Sequence, residues 1–480
     1  MFERDIFLNI SPLDHRYYLA NRGLFDKLSN YLSERANVQY CIKAELSLLR
    51  NIIEITHQDE DTTILDGLEK RITPEEVYRE EEKTRHNVRA LVNVIKKYVP
   101  EKWANFVHLG ATSVDILDTA TAMSYRDTVR EVLLPTLISL EEKLIDIARR
   151  ESNTPQIGRT HGQHAVPITF GFAISEYVSR LGKSIHRIYQ YSKDLRGKLS
   201  GAVGAYNATA LIVDDPLALE EAYLSSLGLR ADDISTQLVQ PEYSLRLLLE
   251  INIAFGIIAN LADDLRNLQR TEIGEVREGF GKHQVGSSTM PQKRNPWNSE
   301  HIKSMWKTFS PRTITFFMDQ ISEHQRDLTN SASRRFIADF ITGFLAAASR
   351  MIRVLEGLRI DREKMLKNLL ENGDLVLSEA VYILLATMGE REGHEIVRKL
   401  TLKREKTGKR LWELIQANRE LNEMLTRALK KLGVENSSLF WRKPEFYSGI
   451  ASKKVNDIVS RYEALVENIK KEIEREGETN

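Results

Sequence analysis

The stretch "GSSTMPQKRNP", from Gly286 to Pro296, sets two hydroxyls, Ser287 and Ser288, beside two cations, Lys293 and Arg294. No histidine or carboxylate adjoins the serines to activate them. A serine in such a place gains basicity only if cations and backbone N–H groups favour its charged form. A second stretch, "RTHGQHA", places His161 and His164 three residues apart among small side chains. That spacing can hold a metal on a helix, but no cysteine partner and no H-E-x-x-H pattern accompanies it, so no metal is expected. A histidine in a glycine-rich turn suits proton transfer near neutral pH. A turn histidine bonded to backbone is the plainer alternative.

Three further constellations could meet an anion. "FVHLGATSVDILDTA" offers His108, Thr112 and Ser113 just before an apolar helix, with Asp115 in its first turn. Either hydroxyl can cap that helix, and hydroxyls at a helix start also bind carboxylates. "EEKTRHNVRALV" puts Arg85 and His86 on a predicted helix, where a solvated face is the plain alternative. "QRDLTNSASRR" combines Arg326, Ser331, Arg334 and Arg335. The guanidinium fork matches phosphate oxygens, though surface arginines at a helix start would look the same. No P-loop, dinucleotide-binding glycine motif or kinase signature occurs.

These groups must be held by something, and helical periodicity dominates the chain. Leu247, Ile251, Ala254, Ile258, Leu261, Leu265 and Leu268 recur at 4-3-4-3-4-3 spacing, one continuous seam. Leu137, Leu140, Leu144 and Ile147 repeat the pattern after Pro135. Alternating strand-like runs are scarce, so the expected architecture is all-α, a long-helix bundle. The predicted helix 242–270 also carries Ile253, Phe255 and Ile257 on other faces and needs neighbours on several sides. Those neighbours are either one large monomeric bundle or further copies of the chain. Two breaks interrupt the pattern, at about 152–167 and 271–296, and long structureless connections tend to be functional or disordered. The second leads into a helix that Asn295 is placed to cap, with Pro296 in its first turn and open N–H groups for an anion. "GLRIDREKML" marks a further break before shorter helices. Val455, Ile458, Tyr462, Leu465 and Ile469 then outline a final amphipathic helix. The expected domains are 1–110, N-terminal and helical; 111–360, the central bundle with the loop; and 361–480, C-terminal and helical.

Composition narrows the partners. Lys plus Arg equals Asp plus Glu, 68 against 68, which argues against nucleic acid as a main partner. The single cysteine, Cys41, rules out an intrachain disulfide and fits a reducing interior. The start carries Glu3 and Asp5 and no apolar core of a signal peptide, and nowhere do about 18 uncharged apolar residues run together. No membrane partner is expected, and the expected location is cytoplasmic.

Taken together, the motifs carry a resemblance. "GSSTMPQKRNP" resembles the signature loop of the fumarase/aspartase superfamily, G-S-S-x-M-P-x-K-x-N-P, and "HLGATSVDILDTA" and "GRTHGQHAVPITFG" are similar to two more of its regions, in the expected order. With "SPLDHRY" at 11–17, "RH" at 85–86, "STQ" at 235–237 and "NSASRR" at 330–335, the chain resembles the adenylosuccinate lyase branch. The likeness extends through "LSEAVYILLATMGEREGHEIVRKL" to the C-terminal part. It implies an all-α fold whose central helices assemble a homotetramer, with each active site drawn from three chains. It implies β-elimination of fumarate from a succinyl-purine nucleotide, adenylosuccinate or SAICAR, with no cofactor. Argininosuccinate lyase is the nearest alternative within the superfamily, and a helical scaffold without activity is the alternative outside catalysis.

The resemblance also implies roles. Ser287 matches the base and His161 the acid that protonates the leaving nitrogen; Glu300 matches the residue orienting His161. Lys293 and His86 complete the catalytic set. Arg16 and Tyr17 match a nucleotide-binding pair, and Arg85 a cation near the phosphate, followed by Asn87 where the family commonly has Asp. His108 matches a further active-site histidine. Thr112, Ser113 and Ser288 match hydroxyls for the succinyl carboxylates; Gln237 and Asn295 match substrate contacts; Arg326, Ser331 and Arg335 match nucleotide and phosphate contacts. The chain departs from the pattern again after "STQ", where "LVQPEYS" lacks the usual basic residue, at Gln325, where Glu is common, and at Gln292, which is similar to the argininosuccinate lyase form.

Overall fold

The computed structural model describes residues 5–57, 59–281, 286–371 and 373–479. The helices that build the bundle and position the candidate site, in chain order, are α1 (Glu34–Thr56), α2 (Pro74–Thr84), α3 (Asn87–Ile95), α4 (Ser113–Thr128), α5 (Leu134–Arg150), α6 (Phe170–Lys193), α7 (Glu242–Leu268), α8 (Trp297–Phe309), α9 (Ile337–Glu356) and α10 (Ala451–Thr479). Local chemistry starts them. Ser33 Oγ accepts from Ala36 N at 3.1 Å ahead of α1, and Thr169 Oγ1 accepts from Phe172 N at 3.1 Å ahead of α6. Between α4 and α5 the chain stays helical through one π turn, Val129–Leu133, immediately before Pro135, whose ring nitrogen has no hydrogen to give.

The bundle core is built on α6 and α7. α6 packs against α5, α7 and α10, and α7 also packs against α8 and α9. On α7 the residues Leu247, Ile251, Ala254, Ile258, Leu261 and Leu265 are buried and Leu268 is partly buried, the seam expected from their spacing. Each large apolar side chain buried there contributes about 1.5–3 kcal/mol relative to exposure. α7 is the described helix long and apolar enough to cross a membrane, yet 61% of its most apolar stretch lies inside the protein, as a core helix does. One face stays open: Ile253 is 54% exposed.

The first hundred residues share this core, since Leu28, Ile42, Leu49 and Leu91 join the same buried cluster. Past α9 the chain turns through Arg359–Ile360 into six shorter helices between Arg362 and Arg442, and Val381, Leu385, Leu411, Ile415, Leu421, Leu425 and Leu429 form a separate cluster there. α10 then returns to the bundle on Val455, Val459, Tyr462, Val466 and Ile469.

One of the two expected breaks is not a loop. Residues 155–169 form an antiparallel hairpin, β1 (Pro155–Thr160) with β2 (Gln163–Thr169), paired from Pro155↔Thr169 to Thr160↔Gln163 with a register shift between Ile157 and Arg159. Its two-residue tip, His161–Gly162, has φ of +54° and +73°. Positive φ at both positions is the turn whose twist suits a hairpin. A histidine in place of the usual Asn or Asp hid it. The second break is irregular save for β3 (Val276–Arg277), which pairs with β4 (Arg359–Ile360); its residues 282–285 lie outside the described residues.

Candidate active site

The amino end of α4 is a hub. Asp115, fully buried, accepts from Thr112 N at 2.7 Å, from Ser200 N at 3.2 Å and from Gly201 N at 3.3 Å, and it pairs with the buried ammonium of Lys198. One turn on, Asp118 accepts from Val239 N at 2.9 Å and pairs with Arg334 at 2.7 Å. Ser200 Oγ lies 2.6 Å from Ser235 Oγ, and Gln237 N donates to Gln325 O at 3.4 Å. Two buried carboxylates thus gather Thr112, Ser113, Gln237 and the Arg326–Arg335 segment on one side of the chain. Arg326 holds φ of +83° and donates to Ser322 Oγ at 3.1 Å. Ser331 and Arg335 are exposed, and the Arg335 charge acts on Tyr78 of α2.

Arg85 and His86 are not inside a helix, as expected from sequence, but between two. α2 ends on Arg85 in the left-handed region, φ +55°, and His86 caps α3, its Nδ1 accepting from Arg89 N at 3.2 Å. The stop is Arg85 in the left-handed region, with no glycine or proline to announce it, and the histidine side chain starts the next helix. Arg85, His86 and Asn87 are all exposed. Arg89 and Asp115 both act electrostatically on His108, which brings the start of α3 beside the hub. His108 itself has φ of +64° and donates from Nδ1 to Glu45 Oε1 at 2.7 Å, with Glu45 fully buried in α1.

The loop before α8 is folded back on itself. Ser287 Oγ accepts from Met290 N at 3.1 Å and from Thr289 N at 3.4 Å. Asn295 Nδ2 donates to Gly286 O at 3.2 Å, and Lys293 N to Met290 O at 3.0 Å. A Cβ at Gly286 would overlap the Lys293 carbonyl, so only glycine fits. Gln269, just past α7, pins both flanks: its Nε2 donates to Arg294 O at 3.2 Å and its Oε1 accepts from Glu278 N at 2.8 Å. Ser287 and Asn295 are half-buried; Ser288, Lys293 and Glu300 are exposed.

The start of α8 corrects two expectations. Pro296 stands at the cap position, and Asn295 is spent on Gly286 instead. The first-turn N–H groups are not open to an anion, because the Glu278 carboxylate accepts from Ser299 N at 2.8 Å, Ser299 Oγ at 2.6 Å and Asn298 Nδ2 at 2.9 Å. A carboxylate arriving across the loop fills that end of the helix dipole.

Tyr17 meets the helix that follows the loop: its hydroxyl is 3.1 Å from His301 Nε2, and the two rings stack with centroids 5.8 Å apart. Burial, then the Arg350 and Arg16 charges, holds His301 below its ordinary pKa. Arg350 in turn lies over the Trp297 ring and donates to Asn298 at 3.2 Å. Arg16 is exposed.

The hairpin tip stands apart. His161 is exposed, and among the described residues no hydrogen bond or ion pair links it to Ser287, Lys293 or Glu300. Beneath it, buried Glu275 fixes the strands, taking Arg159 at 2.6 Å, Gln156 at 2.8 Å and Asn368 at 2.9 Å. Burial and the Arg159 charge lower the His164 pKa.

The geometry therefore comes in three parts, an α3–α4 face, a loop with Tyr17, and a hairpin tip. Residues 35–308 match the lyase family model and residues 322–437 the adenylosuccinate lyase C-terminal model. The adenylosuccinate lyase of Pyrococcus abyssi is 32% identical over 462 residues, covering 95% of this chain and 98% of that one. The chain belongs to the adenylosuccinate lyase family. The adenylosuccinate lyase of Archaeoglobus fulgidus is 31% identical over 94% of this chain. The fold is that of the fumarase/aspartase superfamily: a fumarate lyase from Mesorhizobium sp. BNC1 superposes with a TM-score of 0.77 at 22% identity, over 91% of this chain and 97% of that one.

Sequence reasoning missed the residues that pack behind the candidate site: Glu45, Asp118, Lys198, Glu275, Glu278 and His301. The available signal was a charge at a core position of an apolar run, as Glu45 is within "CIKAELSLL".

Proposed function

We propose that the chain releases fumarate by β-elimination from adenylosuccinate, giving AMP, and from SAICAR, giving AICAR, in purine nucleotide biosynthesis. The observation that carries this reading is the folded loop at Ser287, whose Oγ faces two backbone donors beside Lys293. Donors aimed at that oxygen favour its charged form, so Ser287 removes the proton beside the succinyl carboxylate. The electron pair moves into the carboxylate, where Lys293 and Asn295 stabilise the added charge; one well-placed donor of this kind is worth roughly 3–4 kcal/mol. The C–N bond then breaks, and His161, oriented by Glu300, protonates the departing nitrogen.

Thr112, Ser113 and Ser288 bind the succinyl carboxylates. Gln237 and His108 line the same region, and His86 with Arg85 and Asn87 faces it from the start of α3. Arg326, Ser331 and Arg335 take the phosphate, and Arg16 with Tyr17 the nucleotide. The lack of any hydrogen bond or ion pair between His161 and Ser287 among the described residues, and the exposure of Ile253 on α7, support a homotetramer in which three chains complete each site. In this reading residues 1–110 carry the α3 face, 111–360 the bundle and loop, and 361–480 a helical cap, in a cytoplasmic enzyme.

Purified protein incubated with adenylosuccinate, SAICAR or argininosuccinate, with fumarate monitored, tests the assignment. Turnover of the two purine substrates is expected, and turnover of argininosuccinate alone would overturn it. Ser287→Ala and His161→Ala are each expected to lower kcat by about a thousandfold or more with the fold intact. Reassembling the two inactive variants together is expected to recover part of the activity; mixtures that stay inactive reject shared sites.

A further inference from the structure

Glu45 is an expensive residue to keep. It lies in the middle of α1 among Ile42, Leu46, Leu48 and Leu49, fully buried, and its Oε2 has no hydrogen-bond partner among the described residues. A buried carboxylate costs several kcal/mol unless it is paired, and an apolar side chain would pack the same position. Its one partner among the described residues is His108 Nδ1 at 2.7 Å, within the range of a charge-assisted hydrogen bond. His108 is unusual too, a non-glycine residue at φ +64°, and backbone held there is strained. The bond fixes the ring: Nδ1–H points inward to Glu45, and Nε2 has no hydrogen bond among the described residues on a side chain 20% exposed.

We propose that Glu45 is a positioning residue for His108, holding the ring from behind so that Nε2–H is the open donor to an anionic group of the substrate at the amino end of α4. The proposal rests on the lyase reading and adds to it a residue that never touches substrate. The surrounding charges agree with an imidazolium. Burial alone lowers the His108 pKa, the Glu45 hydrogen bond and charge raise it, Asp115 of α4 adds to them, and Arg89 of α3 opposes; the net direction is upward. The other titratable groups against the pair, Cys41 of α1 and Tyr223, are both pushed upward by burial and so stay neutral, while Lys198 is paired with Asp115. A carboxylate behind a histidine commonly sets which nitrogen carries the working proton.

The test is histidine 13Cε1 NMR of the intact enzyme across pH, with the His108 signal assigned by His108→Asn, alongside steady-state kinetics. In the wild type His108 is expected to titrate above the ordinary histidine range. In Glu45→Gln, which keeps the shape, the midpoint is expected to fall by about one unit or more. KM is expected to rise about tenfold or more, with kcat changed less than about threefold. The fall in kcat/KM on raising pH should also begin at lower pH in the variant. A wild-type His108 that titrates at or below the ordinary range overturns the proposal, even if the variant does not fold. A midpoint that moves while KM stays put reduces Glu45 to a structural role and overturns it as well. Because the titration needs no turnover, it reads the dyad whether or not the lyase reading survives.

Discussion

The amino end of α4 and the loop ahead of α8 carry similar hydroxyls and cations, and the fold holds them by opposite means. At α4 three buried carboxylates hold the polar face: Asp115 pairs with Lys198, Asp118 with Arg334 and Glu45 with His108. At the loop the ties are short-range and half-exposed, with Ser287, Asn295 and Gly286 bonding within eleven residues of chain and Gln269 and Glu278 closing the ends. In the proposed mechanism the α4 face receives carboxylates and gains from being preorganised, whereas a loop that closes over substrate in that mechanism gains from being cheap to move. The difference teaches where the rigidity of this enzyme is kept, and it can be broken.

The largest effect belongs to the buried side. Asp115→Ala leaves the Lys198 ammonium, 1% exposed, with only the Gly201 carbonyl at 3.2 Å. Removing one partner of a buried pair typically costs about 3–5 kcal/mol, and the three backbone donors lose their acceptor as well. Urea unfolding of the variant should show that loss. A cost under about 1 kcal/mol would mean that the pair behaves like a surface salt bridge and that the α4 face is not held as described.

The loop should answer in rate and not in stability. Gly286→Ala sets a Cβ against the backbone of Lys293 and Arg294, which cannot rotate away as a side chain could. The displaced loop misplaces Ser287, and small misplacements of reacting groups cost on the order of 10- to 100-fold in rate. The expected result is a fall in kcat of that size with an unchanged melting temperature. Unchanged kcat would show that the inward fold of the loop is not its working conformation.

The same contrast explains what could be read without coordinates. The α7 seam was legible because burial follows the 3.6-residue period, and the loop stood out as a motif because of the residue types and spacing of Ser287, Lys293 and Asn295. Hairpin 155–169 was not, because Gly158 and the His161–Gly162 tip break the alternation that marks strands. The capping of α8 was not, because the carboxylate that fills it, Glu278, comes from across the loop, about 20 residues away in sequence. Asn295 was a reasonable cap by type, and tertiary structure used it elsewhere. Glu45 and Lys198 show the general limit: one charge in an apolar run looks the same from sequence whether its partner exists or not.

Glu141 supplies the control, since it is a buried carboxylate without a partner among the described residues. It sits in α5 against α6 at Gly182 and α10 at Tyr462, with neither oxygen hydrogen-bonded to a described residue, and burial holds its pKa well above the ordinary carboxylate range. The folded state therefore keeps a proton on Glu141 that the unfolded chain releases above about pH 4. Stability from this group is full at low pH and is lost as pH rises toward its folded pKa, by about 1.4 kcal/mol per pH unit. Glu141→Gln removes the titration and keeps the shape, so the difference in unfolding free energy between variant and wild type should grow in the variant's favour from pH 5 to pH 8. Other titrating groups cancel in that difference. Parallel curves would mean that Glu141 stays ionised in the folded state, and that an unpaired buried charge costs this bundle less than the Asp115–Lys198 pair implies.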